Sequence, residues 1–292
     1  MVSETTIMGH PRGLVILFLT EMWERFSYYG MRGLLVIYLT QHFLFSDEKS
    51  TVLYGAYTSL VYVMTIIGGA LADRYLGARK AVTFGAILLV IGHFGMSFEG
   101  NGSKQILTLD GVQYEIVLDA RGGDARQQIV SDDGVSYINF SASDMLIENP
   151  ESVGLPESIS RDSYTMSVVT EEVYLNILYL SLAFIIAGVG FLKANISTIV
   201  GSLYGFGDKR RDSGFTIFYM GINLGAFLAS IFCGYLGIVH GWKYGFGLAG
   251  IGMFIGLAIF LSFQHWLDGK AEPPSIERLN TKLFWFINIE WA

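Results

Sequence analysis

Hydrophobic residues are concentrated in six blocks of about 20 residues or more, each long enough for a helix that crosses the ~30 Å hydrocarbon core of a bilayer. The blocks occupy residues 13–43, 52–73, 80–98, 173–200, 214–239 and 243–266. Every block also contains glycines, which predict close helix packing, because small residues let helices approach one another in lipid. The pattern therefore predicts a membrane protein with six helical spans.

A different pattern occupies residues 99–170, between the third and fourth blocks. Apolar and polar positions alternate there, and Asp-Gly and Gly-Gly pairs interrupt the alternation, which predicts β-hairpins. Twelve Asp and Glu against four Lys and Arg give this segment a net charge of −8, in a chain whose net charge is −7. We expect a small, acidic, β-rich insert that has no metal cluster or catalytic set of its own.

The short loops predict the orientation of the helices, because cytoplasmic loops of membrane proteins are enriched in Lys and Arg. The loops between blocks two and three and between blocks four and five contain Arg74, Arg79, Lys80, Lys209, Arg210 and Arg211. We therefore expect both loops and the N-terminus to face the cytoplasm. The protein would be multi-pass in the cell (inner) membrane, with the insert on the extracytoplasmic side.

Composition agrees with a membrane protein, since 52% of the residues are hydrophobic and only 15% are charged, against about 25% in a typical soluble domain.

We divide the chain into helices 1–3 (1–98), the insert (99–170), helices 4–6 (171–267) and a cytoplasmic linker (268–292). The linker ends in LFWFINIEWA, which we interpret as the start of a further helix cut short. The single cysteine excludes an intrachain disulfide, and we expect no cofactor, no nucleic-acid partner and no enzyme activity.

The first block contains a charged stretch, EMWERFSYYGMR, at residues 21–32. On a helix that turns ~100° per residue, its polar side chains share one face; they are Glu21, Glu24, Arg25, Tyr28, Tyr29 and Arg32. Each charge at mid-membrane costs about 2.5–3.5 kcal/mol on insertion scales. Packed hydrophobic side chains would cost less than a purely structural ion pair. The stripe therefore predicts a water-filled pathway for an ion or a substrate.

A further charge, Lys193, lies in the fourth block. Two interpretations of it remain open. Its ammonium could extend to the interface, because the helix is expected to end near Val200, about 10 Å away. Alternatively it could face the same cavity as the stripe and pair with a carboxylate. Tyr62 and Asn223 are the other polar candidates in the spans, and on residue type alone both are more typical of hydrogen-bonded packing positions.

Three stretches carry a family resemblance. Residues 21–30, EMWERFSYYG, resemble the first-helix signature E-x-x-E-R-F-x-Y-Y-G of the proton-dependent oligopeptide transporter family, within the major facilitator superfamily. GALADRYLGARK at 69–80 is similar to the superfamily's loop between helices two and three, and FTIFYMGINLGAF at 215–227 resembles the family's fifth-helix signature. The resemblance implies an all-α membrane fold, namely the six-helix N-terminal bundle of a twelve-helix transporter, built as a 3+3 inverted repeat. The small β-rich insert would lie between helices three and four.

The same resemblance implies proton-coupled symport of di- or tripeptides. Its proton-coupling residues would be Glu21, Glu24, Arg25 and Lys193. Its peptide site would comprise Tyr29, Arg32, Tyr62, Lys193 and Asn223, and its cytoplasmic gate Asp73 and Arg74. The implied partners are small peptides, protons, the lipid bilayer and a C-terminal six-helix half. An alternative is a six-helix transporter remnant that acts as a scaffold or accessory subunit of a membrane complex, with the insert as its docking surface.

Overall fold

Each of the six hydrophobic blocks forms a helix in the computed structural model, which describes residues 6–119, 126–273, 282–284 and 287–288. The helices are α1 (Gly13–Gln41), α2 (Asp47–Leu71), α3 (Gly77–Gly95), α4 (Glu172–Ser202), α5 (Arg211–Tyr235) and α6 (Trp242–Phe263). Their ends lie within a few residues of the predicted blocks, except that α2 begins five residues earlier than its block.

Four helical stretches are long and apolar enough to cross a membrane, and they include every helix except α1. They are Asp47–Gly95, Glu172–Ser202, Arg211–His240 and Trp242–Leu267. The first of them contains both α2 and α3, because helical structure continues through the turn that joins them. Helix α1 has sufficient length at 29 residues, but its charged stretch makes it more polar than these four.

A π-helical turn joins α2 to α3, and a second joins α5 to α6. The turns are Ala72–Leu76 and Leu236–His240. A glycine follows each turn with a positive φ and the same ψ of 152°; φ is 73° at Gly77 and 119° at Gly241. Glycine adopts this backbone without the steric cost that a Cβ would add. The order helix, π-turn, glycine, helix therefore occurs twice in the chain.

Most of the helical residues belong to one compact unit, which includes residues 6–38, 47–99 and 176–273. Glycines allow close packing within it. A Cβ on Gly190 of α4 would lie 2.7 Å from the carbonyl oxygen of Met64 in α2, and a Cβ on Gly30 of α1 would lie 2.7 Å from the Cys233 sulfur in α5. Such short distances mean that a larger residue would force the helices apart, as expected for glycine-mediated packing in lipid.

Seven strands form one antiparallel sheet in the second unit, which includes residues 39–46, 100–119 and 126–175. The strands are β3 (Lys104–Leu109), β4 (Val112–Asp119), β5 (Arg126–Val130), β6 (Val135–Phe140), β7 (Asp144–Ile147), β8 (Ser158–Ser160) and β9 (Tyr164–Val169). They lie in the order β8-β7-β6-β5-β4-β3-β9. Strand β9 returns to pair with β3, with Lys104 opposite Val169.

The sheet has its own hydrophobic core. Leu107, Ile129 and Met145, on three different strands, are fully buried in it. Seven more buried residues complete the core, namely Leu109, Ile116, Ile138, Ile147, Val153, Ile159 and Tyr164. Successive side chains of a strand point to opposite faces, so the alternation in the sequence places the apolar set on one face.

This sheet contradicts the predicted fold class. An all-α fold with a small β-rich insert is wrong, because the chain combines its helices with a seven-stranded sheet that has a separate core. The alternating pattern did predict strands at 99–170. It did not predict their number or that they form one sheet, because the β3–β9 pairing joins strands about 60 residues apart, and turn signals identify only hairpins between neighbouring strands.

Two short hairpins lie near the ends of the chain. Strands β1 (Thr6–Ile7) and β2 (His10–Pro11) pair before α1, and β10 (Lys282–Phe284) pairs with β11 (Ile287–Asn288). The stretch predicted to start a further helix, residues 283–292, lies mostly outside the described residues.

Candidate functional site

Three charged side chains of α1 form a buried ion cluster. Arg25 Nε lies 2.9 Å from Glu21 Oε1, and the same guanidinium pairs with Glu24. No side chain of the three is more than 4% exposed. Glu21 and Arg25 have the i, i+4 spacing that places an acid and a base on one helix face, with the acid toward the N-terminus. The cluster thus places two carboxylates around one guanidinium in the interior of the helical unit.

Close contacts with α5 and α6 bury this part of α1. A Cβ on Gly225 of α5 would lie 3.0 Å from the backbone nitrogen of Phe26. On α6, a Cβ on Gly252 would lie 3.2 Å from the Trp23 ring. The apolar side of the charged stretch therefore packs against glycine-rich faces of two helices.

Lys193 brings a second cation to the cluster from α4. Its ammonium is within electrostatic reach of both Glu21 and Glu24. The same ammonium lies 5.1 Å from the centroid of the Tyr62 ring on α2. The two glutamates therefore have two cations around them, from different helices, and α1, α2 and α4 contribute to one polar region.

Arg32 and its tyrosine neighbours continue this region along α1. The Arg32 Nε donates a hydrogen bond to the hydroxyl of Tyr54 on α2, and the guanidinium carbon lies 5.5 Å from the centroid of that ring. Tyr28 links this end to the cluster, since its ring centroid is 5.3 Å from the Arg25 guanidinium and 5.5 Å from that of Tyr29. The polar face is thus continuous from Glu21 to Arg32.

Two tyrosines of α2 belong to this region and were not predicted. Tyr54 holds Arg32 as described, and Tyr57 follows it by one helical turn. Tyr57 is 2% exposed, and its hydroxyl is within electrostatic reach of Glu24, Tyr28 and Arg32. A signal did exist in the sequence, because on a helix Tyr54, Tyr57 and Tyr62 fall within about 140° of one face.

The other predicted site residues lie apart from the cluster. Asn223 is exposed on α5, and its side-chain amide donates a 3.2 Å hydrogen bond to the Tyr219 carbonyl of the same helix. Asp73 and Arg74 are exposed in the π-turn after α2, where the Arg74 guanidinium lies 5.4 Å from the ring centroid of Tyr75. Among the described residues, no contact joins these three side chains to the α1 charges.

Residues 79–290 match the sequence model of a protein family that is described as the POT family. This chain belongs to the POT family. The resemblance inferred from the three motifs is confirmed, and with it the assignment to a family of membrane transporters rather than enzymes.

Curated relatives agree with this assignment. The chain is 35% identical over 264 residues to an uncharacterized transporter, YclF, of Bacillus subtilis, covering 89% of this chain and 39% of the relative. It is 32% identical to the peptide transporter YePEPT of Yersinia enterocolitica, covering 88% of this chain and 38% of the relative. Against a di-/tripeptide transporter of Lactococcus lactis, identity is 32% and the shares are 94% and 41%. The chain thus spans about two fifths of the length of these relatives.

Solved structures show the same relationship. A crystal structure of a peptide transporter POT in complex with sulfate superposes with a TM-score of 0.65 at 33% identity, covering 92% of this chain and 41% of that one. A POT family transporter in complex with 5-aminolevulinic acid gives a TM-score of 0.64 at 30% identity, with the same coverage.

Proposed function

We propose that this chain is the N-terminal six-helix half of a proton-coupled symporter of di- and tripeptides in the cell membrane. The observation that carries the proposal is the buried cluster of Glu21, Glu24 and Arg25, with Lys193 in electrostatic reach of both carboxylates. Ionisable groups inside a membrane protein are costly and typically line ion or substrate pathways. Two relatives named as peptide transporters, and one solved structure in complex with 5-aminolevulinic acid, support a peptide-like substrate.

Coupling follows from the balance of charges in the cluster. When both glutamates are ionised, their charge matches that of the two cations Arg25 and Lys193. If a peptide carboxylate pairs with Lys193, the glutamates lose one of their two cations. Binding of a proton to one glutamate then restores the charge balance of the cluster. Peptide and proton therefore favour each other's binding. The same exchange returns Lys193 to the glutamates when peptide and proton leave on the other side.

The peptide site in this proposal combines side chains from four helices. Tyr29 and Arg32 of α1, Tyr62 of α2 and Lys193 of α4 lie in or beside the polar region, and Asn223 of α5 would contribute once the C-terminal half encloses the pathway. A zwitterionic peptide needs donors for its carboxylate, which Arg32 and Lys193 supply. Asp73 and Arg74, in the loop between α2 and α3, would act in a cytoplasmic gate, with the N-terminus also cytoplasmic and the insert outside.

Uptake measurements on the full-length protein test this function. Proteoliposomes would be loaded so that a pH gradient, inside alkaline, drives entry of radiolabelled dialanine. We expect the gradient to stimulate uptake at least tenfold in the wild type. Glu21→Gln and Glu24→Gln should each abolish this stimulation, because an amide cannot take up the coupled proton. Glu172→Gln, an exposed carboxylate in the first turn of α4, is the matched control and should transport normally.

Exchange of labelled for unlabelled peptide without a gradient separates coupling from binding. An uncoupled variant that still binds peptide keeps this exchange, whereas a misfolded one loses it. Undiminished gradient-driven uptake in both Gln variants would reject the coupling role of the cluster. A wild type that moves no peptide under either condition would reject the transport function itself and favour a scaffold role.

A further inference from the structure

The guanidinium of Arg32 differs from that of Arg25 in its partners. Arg25 pairs with two carboxylates and is buried. Arg32 is partly exposed, and among the described residues no carboxylate forms an ion pair with it. Its partner is the Tyr54 hydroxyl, which accepts a hydrogen bond from Nε. Arg32 is therefore a cation held in place by a neutral group.

The use of Nε has a stereochemical consequence. A guanidinium has five N–H donors in a planar fork, of which Nε carries one and the two terminal nitrogens carry four. Because Tyr54 accepts from Nε, the terminal nitrogens keep their donors, and they form the edge that binds a carboxylate in a bidentate manner. Tyr54 uses an oxygen lone pair in this contact, so its own O–H also remains able to donate.

The Tyr54 ring further limits the orientations open to Arg32. The guanidinium carbon lies 5.5 Å from the ring centroid, within the range of a cation–π contact. Tyr28 and Tyr29 of α1 and Tyr57 of α2 are also in electrostatic reach of Arg32, and all three are tyrosines. Among the residues that the structure describes, Tyr54 alone both accepts a hydrogen bond from the guanidinium and packs against it. A long side chain loses less entropy on binding when it is already ordered in this way.

We propose that Tyr54 is a positioning residue: it fixes Arg32 so that the terminal nitrogens present their donors to the carboxylate of the transported peptide, and it thereby sets the preference for substrates with a free carboxylate. This inference rests on the proposed function, in which Arg32 lines the peptide site. It adds a residue of α2 and a specificity determinant that the family motifs in this sequence do not contain.

Kinetics of the full-length protein with two probes test the inference. The probes are dialanine and its C-terminal amide, which lacks the anionic carboxylate. Tyr54→Phe should raise KM for dialanine about tenfold and change kcat less than twofold, because the hydrogen bond orients a binding group and takes no part in proton movement. KM for the amide should change less than twofold, so the preference for the acid falls about tenfold. Tyr179→Phe, on the exposed surface of α4, is the control.

A double-mutant cycle shows whether Tyr54 acts through Arg32. Lysine has no Nε fork for Tyr54 to hold, so in an Arg32→Lys background Tyr54→Phe should change KM less than twofold further. An equal tenfold effect in both backgrounds would overturn the inference. Tyr54→Trp is a second test, since indole keeps an aromatic ring but cannot accept the hydrogen bond; it should raise KM as Tyr54→Phe does.

The outcomes separate this inference from the function on which it depends. If the wild type transports dialanine and Tyr54→Phe leaves KM and the acid preference unchanged, the positioning role is wrong and the transport function stands. If the wild type transports neither probe, the proposed function fails first. A variant that elutes from size-exclusion chromatography like the wild type is folded, and its kinetics then count for or against Tyr54.

Discussion

The ammonium of Lys193 and the ring of Tyr62 face each other across α4 and α2, with 5.1 Å between Nζ and the ring centroid. Packing near this pair holds the two helices close together. Gly190 of α4 approaches the backbone of Met64 in α2, and the Asn195 side chain donates a 3.4 Å hydrogen bond to the Gly68 carbonyl. These backbone contacts between α4 and α2 therefore fix where Lys193 lies relative to Tyr62.

Replacement of Lys193 should uncouple transport. In Lys193→Ala the two glutamates retain only Arg25 as a cation, so we expect gradient-driven dialanine uptake by the full-length protein to fall at least tenfold. Lys193→Arg keeps a cation and should retain partial uptake. Lys209→Ala, in the exposed loop after α4, removes a lysine outside the cluster and serves as control. Uptake by Lys193→Ala within twofold of wild type would mean that this lysine only extends toward the interface.

Gly190→Ala should destabilise the helical unit. The new Cβ would lie 2.7 Å from the Met64 carbonyl oxygen, and overpacking of this kind costs about 1–3 kcal/mol. Gly234→Ala on α5 is the matched control, because its Cβ meets nothing within 4 Å and alanine favours a helix over glycine. Thermal unfolding in detergent, followed by tryptophan fluorescence, should show a lower Tm for Gly190→Ala alone. Equal Tm values for both variants would contradict the close α2–α4 contact.

Asp208→Asn should loosen the loop between α4 and α5. Asp208 holds Arg210, whose Nη2 lies 2.7 Å from Oδ2 and whose Nη1 donates to the Gly9 carbonyl at 2.9 Å. We therefore expect faster tryptic cleavage after residues 209–211 in Asp208→Asn. Asp212→Asn, an exposed acid at the start of α5, should be cleaved like the wild type. Equal rates for all three proteins would show that the ion pair does not order the loop.

The pH dependence of this loop has a definite sign. Hydrogen bonds from Arg210 lower the pKa of Asp208 from 3.8 to about 2. A carboxyl group whose pKa is lowered on folding stabilises the loop above its unfolded value, and this contribution is lost as the pH falls from about 3.8 through about 2. The ratio of tryptic rates between Asp208→Asn and the wild type should thus stay constant from pH 6 to pH 8. A ratio that changes over this interval would assign the loop to another titrating group.

Ile129→Ala should weaken the sheet and leave the helices intact. Ile129 lies in the middle of the sheet core and is fully buried, and truncation of such a side chain typically costs 2–5 kcal/mol. Val117→Ala on the neighbouring strand is the control, because that side chain is 39% exposed. Hydrogen–deuterium exchange on the full-length protein should become faster in β4–β6 for Ile129→Ala only. Faster exchange throughout α1–α6 would contradict a separate core.

The helical part of the fold could be predicted because each span is a local feature. A helix satisfies its backbone hydrogen bonds within one stretch of sequence, so a run of apolar residues identifies it without knowledge of its neighbours. The sheet could not be predicted to the same degree. The hairpin β3–β4 follows from the Asp110-Gly111 turn, but the pairing of Leu109 with Tyr164 closes a long segment of chain. The extent of the sheet therefore depends on a pairing that no local sequence signal marks.

The candidate site also contains residues that the sequence predicts and residues that it does not. Glu21, Glu24 and Arg25 could be predicted because charges in an apolar helix are conspicuous, and their spacing alone places them on one face. Tyr54 and Tyr57 were missed because a tyrosine in a span is equally typical of packing. Only the contact between Arg32 and Tyr54, which depends on how α1 and α2 are placed, distinguishes them. Asn223 and the Asp73–Arg74 pair remain predictions, since no contact among the described residues joins them to the α1 charges.

The two π-turns have a consequence for how such a chain can diverge. ADRYLG at 72–77 and LGIVHG at 236–241 agree only at the final glycine, yet both leave the turn with the same ψ. Because the shape of each joint is set by backbone torsions, the first can carry exposed charges and the second apolar side chains without altering the path of the chain. The side chains of one turn can therefore change, and take on a different chemical role, while the backbone conformation of that turn is kept.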